Sequence, residues 1–397
     1  MSKRYIGGLI SAFNSLKVAN APTIGSATAG NQKVNVAFTA PSCVGGGAVT
    51  SYTAVATPGF KTGTGASSPI TVSCLTGCTA YTFTVSANNA YGPSAFSAAS
   101  NSATPFVAGT VGIFALGLSP GLSSTRDKYT FSGCVVSSAT SASGNNYRGA
   151  ATGNYTVGIF AFGYNSSAVP STTRDKYTYS GDTNGSATAA SAASVAGAAT
   201  GNATRGIFAL GLVSCVASTT RNKYTYACCT NATATSSSVR GYFGSAAGNS
   251  TFGIFAIGYS CSTSVTTRNK YTYSGDINGS ATSASTASYG GAAAGNSTVG
   301  IFALGNTGSP STTRDKYTYS GCVVTSGAAA STNSTCGSAA GNSTVGIFSL
   351  GLNGSYTKVT TRNKYLYACC TSGAATAATA ASASGSAASN GTCGVNV

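Results

Sequence analysis

The sequence predicts an all-β protein in two parts, and three observations carry that prediction. Of 397 residues, 42% are hydrophobic, enough for a buried core, yet only 7% are charged and Gly numbers 52. The five acidic residues are all aspartates (Asp127, Asp175, Asp182, Asp276, Asp315), so the helix former Glu is missing, and small residues punctuated by Gly favour short strands and turns. Second, Gly-Ile-Phe recurs at Gly112, Gly158, Gly206, Gly253, Gly300 and Gly346, at spacings of 46, 48, 47, 47 and 46 residues. Third, the region ahead of these repeats alternates apolar and polar residues, as half-buried antiparallel strands do.

Residues 1–20, MSKRYIGGLISAFNSLKVAN, belong to neither part and read as a docking segment, with an unstructured start as the alternative. They are not expected to act as a signal peptide: the apolar stretch is short, Gly7, Gly8 and Ser11 interrupt it, and Pro22 follows the only small-residue site. Across residues 21–105, Val34, Val36 and Phe38, then Tyr81, Phe83, Val85 and Ala87, alternate between regular turns, which suggests a β-sandwich. Leu75, six residues before Tyr81, followed by TFTVSANNAYGPSAFS, resembles the fibronectin type III domain. That resemblance implies that Tyr81 is a tyrosine corner, with Leu75 beside it, and Phe38 stands where the family usually has Trp. The KRYIGG opening resembles the first residues of virion structural proteins from tailed phages.

Residues 106–397 hold the repeats, with units starting near 112, 158, 206, 253, 300 and 346. VGIFALG reads as a short buried strand closed by Gly, TTRDKYTYSG as a half-buried strand, an Ala/Ser/Thr segment follows, and AAGNST turns the chain. Four short strands in about 47 residues make a propeller blade, whose small side chains suit the close approach of neighbours. The closing AASNGTCGVNV (387–397) begins a seventh unit, so it is expected to complete the first blade, which enters through Pro105-Phe106-Val107. A six-bladed β-propeller follows, with an open β-solenoid as the alternative. GIFALG, RDKYTYSGD and AAGNST resemble the kelch-type repeats of bacteriophage and marine bacterial surface proteins, although one Gly replaces the kelch pair and the kelch Trp is missing. The predicted fold is thus all-β: a fibronectin type III-like sandwich followed by a six-bladed kelch-like β-propeller.

With no His and no Glu, a histidine base, a His-containing triad, an HExxH zinc site and a Glu pair are all excluded, and neither enzyme activity nor a cofactor is expected. A net charge of +16 favours anionic partners. No apolar run approaches the roughly 18 to 20 residues that span a bilayer, so membrane insertion is not expected. Arg and Lys at i and i+2 of each T-R-(D/N)-K-Y strand share a face. They form a predicted basic ring: Arg126 and Lys128, Arg174 and Lys176, Arg221 and Lys223, Arg268 and Lys270, Arg314 and Lys316, Arg362 and Lys364. This ring either contacts an anionic glycan through many weak contacts or is a solvated face with Arg paired locally.

Tyr129, Tyr177, Tyr224, Tyr271, Tyr317 and Tyr365 are expected to pack between sheets. Asn alternates with Asp127, Asp175 and Asp315, which argues against catalysis or calcium binding there, and Asp182 and Asp276 read as turn residues. The thirteen cysteines lack a CxxC pairing and read as disulfides of an oxidising exterior, with Cys215 and Cys261, in equivalent loops, as the predicted cross-blade pair. The sequons at Asn249 and Asn296 follow from the GNST turn without glycosylation.

These readings converge on a structural or adhesive component of a phage particle, a tail fibre or appendage located in the virion. Its expected partners are other virion proteins, host-surface polysaccharide and further copies of itself, not nucleic acid. A capsid decoration or cement protein, and a secreted bacterial adhesin or matrix protein, are the alternatives.

Overall fold

Alternation in the sequence becomes two packed sheets ahead of the repeats. A computed structural model describes residues 17–30, 32–76, 79–105, 110–119 and 121–390, in two compact units, Met1–Val107 and Ala108–Val397. Among the described residues there is no helix, hence none long and apolar enough to cross a membrane.

The first unit contains β1 (Thr23–Gly30), β2 (Lys33–Thr39), β3 (Ser51–Thr57), β4 (Thr62–Gly65), β5 (Ile70–Val72), β6 (Thr82–Asn89) and β7 (Gly92–Pro93). They form two antiparallel sheets, β1-β2-β5 and β4-β3-β6-β7. Val34, Val36 and Phe38 from one sheet meet Tyr52, Ala54, Phe83 and Val85 from the other, and the Phe38 ring lies 4.6 Å from that of Tyr52. The Tyr81 hydroxyl accepts a hydrogen bond from the Thr76 amide at 3.2 Å, beside buried Leu75. Beyond β7, Ser94, Ser97 and Ser100 donate their amides to the Ala87, Val85 and Phe83 carbonyls. Their hydroxyls accept from the amides of the same three residues.

The sandwich starts earlier than residue 21. Ala19 is buried in its core, and the Lys17 carbonyl accepts from the Gly46 amide at 2.9 Å. Residues 17–20 of the expected docking segment therefore belong to this unit, because a small apolar side chain there finds a core to enter. Residues 1–16 lie outside the described residues, as do 106–109 and 391–397.

In the second unit each repeat yields one four-stranded antiparallel sheet. Sheet two comprises Ala150–Gly153, Val157–Ala161, Arg174–Thr178 and Thr183–Ala187, in that spatial order. Sheets three to six repeat it, beginning at Ala198–Gly201, Ser245–Gly248, Ala292–Gly295 and Ser338–Gly341. Sheet one combines Val111–Ala115, Arg126–Thr130 and Val135–Ala139 with Ser386–Ser389 from the far end of the chain, Ala387 facing Phe114. The first strands pack in succession: Ala150–Gly153 lies against Ala198–Gly201, and so on to Ser338–Gly341, which meets Ser386–Ser389, which in turn meets Ala150–Gly153.

Small residues permit this approach. A Cβ on Gly158 would sit 3.2 Å from the Ala388 Cβ of sheet one and 2.8 Å from the Tyr179 hydroxyl. Alternating side chains then serve the two neighbouring sheets: Ile159 enters a cluster with Ala199, Phe208 and Tyr224 of sheet three, whereas Phe160 joins Ile113 and Ala388 of sheet one. Each such Ile or Phe contributes about 1.5–3 kcal/mol of burial. The T-R-(D/N)-K-Y strands, expected to be half-buried, are covered on both faces because each face meets another sheet.

Candidate functional site

The six arginines of the expected basic ring are buried, at 0–1% exposure, and each reaches the next sheet. Arg126 pairs with Asp175 at 2.9 Å, and Arg268 with Asp315 and Arg362 with Asp127 at 2.8 Å. Arg174, Arg221 and Arg314 donate instead to Asn222, Asn269 and Asn363 at 3.1, 3.4 and 3.2 Å. Each guanidinium also stacks on the next sheet's Phe, from Phe160 onward, at 4.4–4.6 Å. This leaves all six Nε atoms without a hydrogen-bond partner among the described residues. Burial pushes the pKa of Arg174, Arg221 and Arg314 down to about 10, while Asp opposes that effect at Arg126, Arg268 and Arg362. A glycan cannot reach these six residues; they join sheet to sheet, and Arg362–Asp127 joins the last to the first.

The lysines keep partial access at the outer rim, and all but Lys270, whose ring partner lies in its own sheet, also lean on the next sheet. Lys128 pairs with Asp182 at 2.7 Å and Lys223 with Asp276 at 2.8 Å. Lys176, Lys316 and Lys364 point at the Cys229, Cys370 and Cys134 thiols at 3.7, 3.0 and 4.0 Å. Lys270 lies 4.4 Å over the Phe252 ring instead. Cys134, Asp182, Cys229, Asp276, Cys322 and Cys370 are one position of the repeat, a turn residue with φ of 49–56° in every sheet. Partial burial disfavours the charged forms of Asp182 and Asp276. Hydrogen bonds from Lys, from a Thr amide and from Tyr177 or Tyr271 outweigh it and hold both carboxyls well below the usual range. In the Cys sheets the corresponding hydroxyls of Tyr129, Tyr224, Tyr317 and Tyr365 have no hydrogen-bond partner among the described residues.

Cys215 and Cys261 are not a disulfide. Both are exposed, and all eleven described cysteines are free. Each sits in the turn of its own two-strand ladder (Leu212–Val213 with Val216–Ala217; Tyr259–Ser260 with Thr263–Ser264), and equivalence in a repeat does not bring two such turns into bonding contact. Cys78 and Cys393 lie outside the described residues. The sequon asparagines are part of the turn: Asn249 Oδ1 accepts from the Thr251 and Phe252 amides while its Nδ2 donates to the Ser297 carbonyl of the next sheet. Among the described residues no group of three or more His, Cys, Asp or Glu side chains could hold a metal.

The repeat loses its uniformity at one end of the first strands. There Arg148, Ala196, Phe243, Gly290, Cys336 and Ser384 each have φ of 52–62°. Each donates its amide to the carbonyl of its predecessor at 2.7–2.8 Å, and Arg148 donates to Ser384, closing a hoop of six main-chain hydrogen bonds. A glycine follows each of them. At Gly149 a Cβ would fall 2.2 Å from the Ala161 carbonyl oxygen. Arg148, Phe243, Cys336 and Ser384 line a cavity of about 60 Å³ at this mouth.

Aromatic side chains gather on one side of it. Tyr147 stacks on Tyr164 at 5.0 Å, Tyr242 on Tyr259 at 5.4 Å, and Tyr259 approaches Tyr289 to 4.3 Å. The Arg148 guanidinium lies 4.8 Å over Phe243 and 5.6 Å from the Tyr147 ring. The Tyr289 hydroxyl is pushed up to about 12 by burial and by Tyr259 beside it. Sister sheets carry Val195, Thr335 and Ala383 where these have Tyr147, Tyr242 and Tyr289, and pair them with Leu212, Leu352 and Leu118. The sequence reading missed this cluster. Its signal was departure from the repeat, which a search for similarity passes over.

No protein-family profile matches the chain and no curated protein does. Among solved structures, domains A168–A170 of titin align over 22% of this chain and 32% of the titin chain, at 25% identity and a TM-score of 0.21. An overlap that small carries no argument.

Proposed function

We propose that the protein is a non-enzymatic structural and adhesive component of a tailed-phage particle, a tail fibre or related appendage. In this reading the N-terminal part, with a fibronectin type III-like sandwich, attaches the chain to other virion proteins. The six sheets are the blades of a closed kelch-like propeller presented to the host surface. The observation that carries it is the use of charge: all five side-chain carboxylates are engaged by Arg or Lys of a neighbouring sheet. The ring they help close is a rigid scaffold with no carboxylate left for acid–base chemistry. The Thr76–Tyr81 hydrogen bond supports the sandwich assignment, and the return of Ser386–Ser389 to sheet one supports closure.

Gold-labelled antibody on purified particles tests it: label on the tail is expected, whereas label on the capsid, or none on particles, would replace the reading. A chain lacking residues 1–16 is expected to fold and to be missing from particles, and its normal incorporation would remove the docking role.

A further inference from the structure

We infer that the aromatic crescent around Arg148 binds a pyranose that carries a carboxylate, one sugar of an acidic polysaccharide lying across the mouth. The inference deepens the adhesive reading of the second unit and is independent of whether the protein sits in a virion.

The crescent is not required by the fold, because sister sheets close the same mouth with Val195, Leu212, Thr335, Leu352, Ala383 and Leu118. Tyr147, Tyr164, Tyr242, Tyr259 and Tyr289 are each only half-buried, so their rings offer flat apolar faces edged by hydroxyls, the surface on which the C–H face of a sugar stacks. Arg148 supplies the charge. All five aspartates are held elsewhere, and no hydrogen bond from its guanidinium is formed within the described residues. A planar fork of donors without an internal acceptor fits a planar carboxylate.

The cavity, about 60 Å³, has room for only a couple of waters. A sugar ring must therefore rest over the mouth rather than enter it. A nucleic acid would also stack on tyrosine, but affinity for it grows with the number of phosphates neutralised, and Arg148 is the one cation among the six residues of the hoop.

The test is titration calorimetry of the full chain with tetrasaccharides of galacturonate, glucuronate and sialate, against maltotetraose, inorganic phosphate and oligothymidylate. Saturable binding of at least one acidic tetrasaccharide is expected, with maltotetraose much weaker. Arg148→Ala should weaken the acidic ligand about tenfold or more while leaving maltotetraose unchanged. Tyr242→Val and Tyr259→Leu should weaken both. Each variant installs the residue a sister sheet already carries (Ala196, Val195, Leu212), so the fold should persist, and an unchanged melting temperature checks this. The inference falls if none of the three acidic sugars binds, if Arg148→Ala binds as wild type does, or if phosphate or oligothymidylate competes as well as the sugar. Tail label without sugar binding removes the site alone; sugar binding without label on particles removes the virion reading alone.

Discussion

Arg126 and its five equivalents hold neighbouring sheets together with side chains, and in every sheet the residue is Arg, its acceptor Asp or Asn, and its stacking partner Phe. At the mouth the same six sheets are tied by peptide groups, and there the residues are Arg, Ala, Phe, Gly, Cys and Ser. Side-chain bonding makes a position uniform; main-chain bonding frees it. The contrast separates residues that serve the scaffold from residues available for recognition, although both sets contain arginine and aromatic rings.

Removing the chain from Ser386 onward should have the largest effect. It strips the strand that completes sheet one and exposes Ile113 and Phe114. Calorimetry should show the second unit losing its cooperative transition while the first keeps its own. Arg362→Ala comes next: it leaves Asp127 buried without its cation, at a cost of about 3–5 kcal/mol in denaturant unfolding. Asp127→Asn should cost less, because Asn222, Asn269 and Asn363 already fill that place. If Arg362→Ala were as mild as Arg148→Ala, the distinction between the two regions would collapse.

A smaller effect is set by pH. Asp182 and Asp276 titrate in the folded protein below their ordinary value of 3.8. The unfolded chain therefore takes up protons first as pH falls, so their stabilisation is full above that value and is lost below it. The stability gap between wild type and the Asp182→Asn, Asp276→Asn double variant should be constant near neutrality and shrink below about pH 4. A gap that widens on acidification would contradict the Lys128 and Lys223 pairings. The smallest change is expected for Arg148→Ala in the absence of ligand, within about 0.5 kcal/mol.

Much of the second unit was legible. Gly-Ile-Phe and Arg-(Asp/Asn)-Lys-Tyr become the second and third strands of every sheet, and the residues that begin a seventh unit supply a strand to the first. The burial of the arginines was not. A charged pair at i and i+2 fits a solvated face equally well, and only the approach of the next sheet reveals that Asp175 or Asn222 waits for it. The cysteines misled for a related reason. Cys134, Cys229, Cys322 and Cys370 hold the turn position that Asp182 and Asp276 hold elsewhere, so these four thiols, free among the described residues, reflect a substitution within the repeat rather than bridges. In the first unit Leu75 and Tyr81 were readable through the resemblance to the fibronectin type III domain, whereas Ala19 was not, since one small residue before a strand carries no periodicity.

The main-chain hoop also bears on how such a surface changes over generations. Because its six hydrogen bonds use only amides and carbonyls, a codon change at Arg148, Ala196, Phe243, Cys336 or Ser384 alters what the mouth touches and leaves the bonds in place. Selection can thus retune recognition one substitution at a time, whereas a change at Arg126 or its equivalents needs a compensating change in the adjoining repeat.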